Sequence, residues 1–353
     1  MKAGILLTLV LLLLTSSVQA QGEAQFRPYS ITTYSLTFEV TLHNLGPSDA
    51  VDIPLKVALL KTWEPHQSVR EISVEPEPDE RYIDFLNNSF VIYHVKRLTP
   101  EERFTVRVHA VLDVYSIDYN IDPRQVGTYD ENNPNYKNYI VPSKFIESDD
   151  LQIQATAREI LRESNTLLDT IFKTYNWVID NIEYEKIPGE VGALYAYKNR
   201  EGDSAEFSNL FIALLRANGI PSRRISGWGG NLNEGGEYTS RQVAHGWAEF
   251  YLPNYGWIPA DPTFGRLHRW DNFAKANNEH IILTKGSGVH FYTRGQYNAP
   301  YGEADVLTNY NISVLEKTVK YISPERNAII FVFFSVPILF FLFIFFKIRD
   351  HLN

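Results

Sequence analysis

The chain has 353 residues, is 44% hydrophobic and 21% charged, and carries a formal net charge of -9. That length allows about two domains with substantial cores. The acidic balance excludes nucleic acid as a partner, because phosphate binding needs clustered Lys and Arg.

Residues 1–20 pass from Lys2 through an apolar run, Ile5 to Leu14, to the small residues Val18 and Ala20 around Gln19. This is the pattern of a secretory signal peptide cleaved after Ala20. An uncleaved anchor is the weaker alternative, because the run falls short of the roughly 20 residues that span a bilayer.

From Tyr34 the chain alternates, placing Tyr34, Leu36, Phe38, Val40 and Leu42 on one face of a strand. Val51, Ile53, Leu55, Val57 and Leu59 repeat the pattern after the turn signal NLGPSD, and Phe104 to Val114 repeats it again. Shorter strands are expected around Ile72 and Val91. Residues 21–117 therefore read as an all-β, immunoglobulin-like sandwich.

Residues 118–143, rich in Tyr, Asn, Asp and Pro, lack periodicity and read as a linker. An α+β domain is expected over 144–290. Ser148, Asp149 and Asp150 offer a helix cap and an acidic first turn. Leu168, Ile171, Phe172, Tyr175, Ile179 and Ile182 recur at helical spacing, beside Trp177. The next helix opens at GDSAEF; Phe207, Leu210, Phe211, Leu214 and Leu215 form its apolar stripe, and Asn218-Gly219 before Pro221 stops it. Strands follow at 222–228, 242–252 and 257–260, with PNYG turning the second into the third.

Residues 291–327 read as an extension and stalk. Ala328 to Phe346 is an uninterrupted apolar run, about 28 Å long as a helix at roughly 1.5 Å per residue, enough to span a membrane. Lys347 and Arg349 place the tail, 347–353, in the cytoplasm by the positive-inside rule. The bulk of the chain is thus expected outside the membrane on one anchor, where the sequons at Asn87 and Asn311 suit glycosylation.

The chain holds no cysteine, so disulfides and thiol ligands are excluded. Neither GxxxxGK[ST] nor HExxH occurs, and no metal or cofactor is expected. The chemistry-bearing residues are Ser204 in GDSAEF, His245 in HGWAEFYL and Asp261 in PADPTFG. An acid, a base and a nucleophile are the parts of a general triad. His245, Trp247 and Glu249 share a strand face, as do Trp257 and Asp261, so pairing across PNYG would bring Asp261 toward His245. Read singly, Ser204 or Asp203 is a helix N-cap, His245 a hydrogen-bonded strand residue and Asp261 a turn former.

Together, Trp177, GDSAEFSNLFIALLRANGIPSR, HGWAEFYLPNYGW and PADPTFG resemble the core of the transglutaminase-like superfamily, relatives of the papain-like cysteine proteases. The layout of sandwich, core and C-terminal anchor is similar to that of membrane-anchored archaeal and bacterial members. The resemblance implies a papain-like core, a helix packed on an antiparallel sheet. It makes His245 the base, Asp261 its orienting partner, Ser204 the occupant of the nucleophile's place, and Trp247 and Trp257 residues that line or support the site. The departure is serine for cysteine. A thiol ionises with help from a helix dipole and a histidine, whereas an aliphatic hydroxyl must surrender its proton during attack. The readings that follow are a noncatalytic cleft binding a peptide or protein partner, a serine-nucleophile hydrolase or acyltransferase, and a purely structural role.

Overall fold

The computed structural model describes residues 26–230 and 232–322. The expected signal peptide, membrane helix and cytoplasmic tail lie outside them. Among the described residues no helix is long and apolar enough to cross a membrane.

The first half of the chain gives six strands: β1 (Arg27–Asn44), β2 (Ala50–Leu59), β3 (Gln67–Glu75), β4 (Glu80–Ile83), β5 (Ser89–Leu98) and β6 (Arg103–Asp118). Alternation in β1 translates directly into burial, since Leu36, Phe38, Val40 and Leu42 are all 0% exposed. The same holds for Ile53, Leu55 and Val57 on β2, which face them across the core.

After a short helix, Pro134–Tyr139, come α1 (Leu151–Arg162), α2 (Leu167–Asn181), α3 (Ala193–Asn199) and α4 (Ser204–Ala217). Then come β7 (Ser222–Gly229), β8 (Glu237–Thr239), β9 (Ala244–Leu252), β10 (Gly256–Ala260), the single turn α5 (Pro262–Gly265), β11 (His280–Lys285), β12 (Tyr292–Arg294) and β13 (Val306–Tyr321). Gln242 and Val243, expected as the start of a strand, belong instead to a helical turn, Ser240–Val243, capped by Thr239 and Gln242. Of the three cap candidates, Ser148, Asp149 and Asp150, it is Asp150 that caps α1, accepting from Gln152 N–H and Ile153 N–H.

One sheet runs β8-β13-β1-β6, with β3 on the far side of β6; a second runs β12-β2-β5-β4, and a third β10-β9-β7-β11. The 291–327 extension is therefore not simply a stalk. Its residues 306–321 pair antiparallel with β1, Phe38 opposite Ile312, and 292–294 pair with β2. Ile312 and Val314 are buried on the same side as the β1 stripe, so β13 completes the sheet that β1 leaves open. Nor do residues 118–143 hang free. Tyr129 Oη donates to Tyr251 O at 2.8 Å, and Asn254 donates to Gln125 O at 2.9 Å, binding this segment to the helix and sheet core.

Helix α4 is the axis of that core. Its apolar stripe is buried as expected, but Glu206, Ser208, Asn209 and Arg216 are buried too, because helices cover the side away from the sheet. Each of these polar residues has a partner. Arg216 donates to Ser222 O, Val141 O and Ser143 Oγ, and Ser208 Oγ lies 2.7 Å from Ser204 O and 2.9 Å from Gly246 O. Ser208 thus ties the first turn of α4 to β9. Ser208→Ala should lower stability by about 1 kcal/mol in chemical denaturation, the value of one such bond.

Candidate functional site

Asp203, not Ser204, caps α4. Its carboxylate accepts from Ala205 N–H at 2.8 Å, and Glu206 reaches back to Asp203 N–H at 3.3 Å, a reciprocal capping box. Ser204 is consequently the first residue of the helix proper. Glu206 also accepts from Val191 N–H at 3.0 Å, fixing the loop before α3 against the helix. Burial and the hydrogen bond to Asp203 push the Glu206 carboxyl up to about 7.

His245 lies at the start of β9, and Asp261 one residue past β10. The β9–β10 register pairs Ala248 with Ala260, so Asp261 falls beyond the ladder and becomes the cap of α5. His245 Nε2 donates to Asp261 Oδ2 at 2.6 Å, with both residues buried. Asp261 Oδ1 accepts from Thr263 N–H at 2.8 Å and Phe264 N–H at 3.0 Å. Burial alone would raise the Asp261 carboxyl; the charge and hydrogen bond of His245, then those of His280, outweigh it and hold the group well below the usual carboxylate range.

Ser204 and His245 open onto one cleft of about 310 Å³. Arg224 and Glu190 form an ion pair in its wall, and Val289 to Phe291 border it where the chain returns toward the sandwich. Ser204 Oγ accepts from Gly246 N–H at 3.2 Å. Among the described residues no hydrogen bond joins Ser204 Oγ to His245.

The supporting residues separate. Trp247 packs beside the pair, its ring stacked on His245 with centroids 5.9 Å apart. Trp257 does not reach the site: Arg223 lies over its ring at 3.9 Å, and it meets Tyr139 and Tyr251 at the far end of the same sheet face. Glu249 shares the His245 face of β9 but sits further along it, where Arg223 Nε donates at 2.7 Å and Lys285 Nζ at 3.2 Å. It holds a buried charge cluster rather than the cleft. Trp177 stacks on Tyr197 and Arg200, away from Ser204.

No sequence motif marks His280 as part of the site, and Gly229 reads there only as the start of a Gly-rich loop. His280 Nε2 lies 2.9 Å from the same Asp261 oxygen that His245 uses. The three ligand-bearing groups, His245, Asp261 and His280, are clustered, but donors sharing a tetrahedral Zn²⁺ at ~2.0 Å would stand roughly 3.3 Å apart. The 2.6 and 2.9 Å contacts are those of hydrogen bonds. At Gly229 an added Cβ would meet the His245 ring at 2.6 Å. Only a residue without a side chain lets that ring lie against β7. Gly229→Ala should therefore cost about 1–3 kcal/mol, the range for overpacking, and shift the His245 ring resonances in NMR spectra.

A helix carries Ser204 at its start, against a sheet that supplies His245 and Asp261, and residues 154–262, which hold all three, match the transglutaminase-like superfamily model. A protein-glutamine gamma-glutamyltransferase of Pseudomonas aeruginosa is 37% identical over 73 residues, 20% of this chain and 11% of that protein. An uncharacterized Haemophilus influenzae protein is 26% identical over 143 residues, 35% of this chain and 38% of its own. The chain thus spans well under half of these relatives. A solved Cytophaga hutchinsonii structure, assigned to the cysteine proteases by name alone, superposes with a TM-score of 0.60 at 18% identity, covering 84% of this chain and 100% of that one. That likeness is one of fold.

Proposed function

We propose that the chain is an extracytoplasmic, membrane-anchored transglutaminase-like protein whose cleft binds a peptide or protein partner without attacking it. The observation that carries this reading is the hydrogen bonding of Ser204: its Oγ accepts from Gly246 N–H, and among the described residues no bond links it to His245. A helix N-terminus favours negative charge by at most about 2 kcal/mol, far too little to ionise an aliphatic hydroxyl. Such a nucleophile depends on a base that takes its proton during attack. The signal-like and anchor-like patterns read from the sequence support a cleft outside the membrane, and the acidic composition fits a protein rather than a polyanion partner.

The second reading, a serine hydrolase or acyltransferase acting on amide or ester bonds of peptides, is favoured by the intact 2.6 Å His245–Asp261 pair. Under it, His245 takes the Ser204 proton as Oγ attacks a carbonyl, and returns it to the leaving group.

A fluorophosphonate probe separates the two. The binding reading expects no labelling of the native chain, while Ser204→Cys gains a thiol that alkylates readily, and Ser204→Ala keeps its affinity for a peptide selected from a display library. Stoichiometric labelling that disappears in Ser204→Ala would overturn it in favour of acyl chemistry.

A further inference from the structure

We infer that the end of the first sheet where β1 begins and β13 finishes docks on the lipid–water interface of the membrane that the apolar run Ala328 to Phe346 enters. This rests on reading that run as an anchor, and it adds a surface of the folded sandwich that meets the lipid. Directly opposite residues of an antiparallel pair share a face. Along the middle of β13 that face is inward, with Tyr310 opposite Val40 and Ile312 opposite Phe38, all buried. The last pairs differ. Val319 lies opposite Thr32 and Tyr321 opposite Ser30; both β1 residues are buried, yet Tyr321 is 79% and Val319 41% exposed. The finish of β13 thus overhangs the core, and it carries apolar side chains where an edge strand in water is ordinarily blunted by charge.

Three more apolar side chains stand at the same end. Ile322 N–H donates to Tyr29 O at 2.8 Å, which holds the two residues side by side, and the Phe26 ring lies 6.1 Å from that of Tyr119. Phe26, Tyr29 and Ile322 are between 37% and 42% exposed. Single exposed apolar residues are ordinary, whereas five at the ends of two paired strands make a patch. Two of them are tyrosines, whose apolar ring and polar hydroxyl suit the headgroup level. Arg27 and Lys320 flank them, both exposed, with apolar stems that let their charges reach the headgroups.

The occupant follows from chain length. Five residues, Ser323 to Asn327, separate Ile322 from Ala328, and even fully extended they reach at most about 20 Å. Leu307, at the other end of β13, lies roughly 48 Å from Tyr321 along the strand at about 3.4 Å per residue. The patch is therefore at the end of the sheet that the anchor keeps beside the bilayer. The same end is joined to the domain of the cleft: Tyr119 N–H donates to Ala274 O at 3.1 Å, and Asp261 N–H to Asn272 O at 2.8 Å. Docking would hold that domain close to the lipid and direct its cleft to a partner near the membrane surface.

The chain is free of cysteine, so Tyr29→Cys, Tyr321→Cys and Leu307→Cys each supply one thiol for an NBD label. In the full chain reconstituted into phosphatidylcholine vesicles, headgroup-level doxyl lipid should quench the labels at 29 and 321 at least about two-fold and leave the label at 307 unquenched. A flexible Gly-Ser linker of about 20 residues inserted after Asn327 separates docking from tethering, since it lets the sheet end drift by roughly 25 Å. Quenching that survives the linker, and falls about two-fold at 321 when Tyr29→Ser and Val319→Ser are added, supports the patch. Quenching lost on inserting the linker overturns it, because the tether alone then brought the label to lipid. A label at 29 that is blue-shifted but not quenched by lipid also overturns it, in favour of a second copy of the chain on the patch. Carbonate extraction reads the anchor separately: a chain that washes off the vesicles refutes the anchor, while quenching at 29 before the wash still decides the patch.

Discussion

Glu249→Gln is expected to destabilise the chain by about 3–5 kcal/mol, the cost of breaking a buried ion pair from one side. Glu249 is 1% and Lys285 5% exposed, and Arg223 Nε donates to the same carboxylate at 2.7 Å. Removing the negative charge leaves two cations in a space that holds one anion. Lys285 has some relief available, because burial, opposed by Glu249, already brings its amine down to about 8. Arg223 has none, as a guanidinium does not deprotonate in a protein. Lys285→Met in the Glu249→Gln background should therefore recover part of the loss, giving a coupling of about 1–3 kcal/mol in a double-mutant cycle by urea denaturation. Additive losses would mean that the two side chains do not support each other.

The same carboxylate predicts a pH signature. Burial favours its neutral form, but Arg223 and Lys285 outweigh it and bring the group from 4.5 down to about 2. A folded value below the unfolded one adds stability above the unfolded value, and that stability is lost as pH falls from about 4.5 toward 2. Glu249→Gln should lack this part of the acid transition.

How much of this the sequence disclosed depends on the range of the interaction. Alternation in β1 and β2, the stop at Asn218-Gly219 and the face shared by His245 and Trp247 follow from periods of two or 3.6 residues, and they are legible in any short window. Asp261 reaching His245 needed only a tight turn between neighbouring strands. Glu249 and Trp257 were misplaced because period two gives a face and not a position along it. The face of β9 runs from the cleft at His245 to the charge cluster at Glu249, two different surroundings. His280 and Gly229 depend on β11 lying against β7, a pairing that no local pattern announces. The return of residues 306–321 to β1 is the extreme case: β13 alternates like any edge strand, but its partner is at the other end of the chain. Polar residues on α4 hid a helix surrounded on all sides, since Arg216 and Glu206 look solvent-facing until their partners from elsewhere are known.

Trp228→Ala should cost about 3–5 kcal/mol, as expected for emptying a large buried aromatic site, and its effect should be felt by the sandwich and the transglutaminase-like core together. Trp228 belongs to β7 of the core, yet it is 0% exposed among sandwich residues, with its ring 5.4 Å from Phe38 and 6.3 Å from Tyr310. Leu232, Val243, Ile281 and Leu283 accompany it in the same apolar cluster as the β1 and β2 stripes. The third sheet packs on α4 through Ala248, Phe250 and Ile258, and through Trp228, Ile281 and Leu283 it reaches the sandwich. Unfolding followed by Trp fluorescence and by circular dichroism should accordingly give one coincident transition, displaced as a whole in Trp228→Ala. Two separated transitions, with only one of them moved, would show that the shared cluster is not what joins the halves. By the same reasoning, residues 144–290 expressed alone would uncover the Trp228 face and should fail to fold, because the surface that should support the site from behind is built from strands at both ends of the chain.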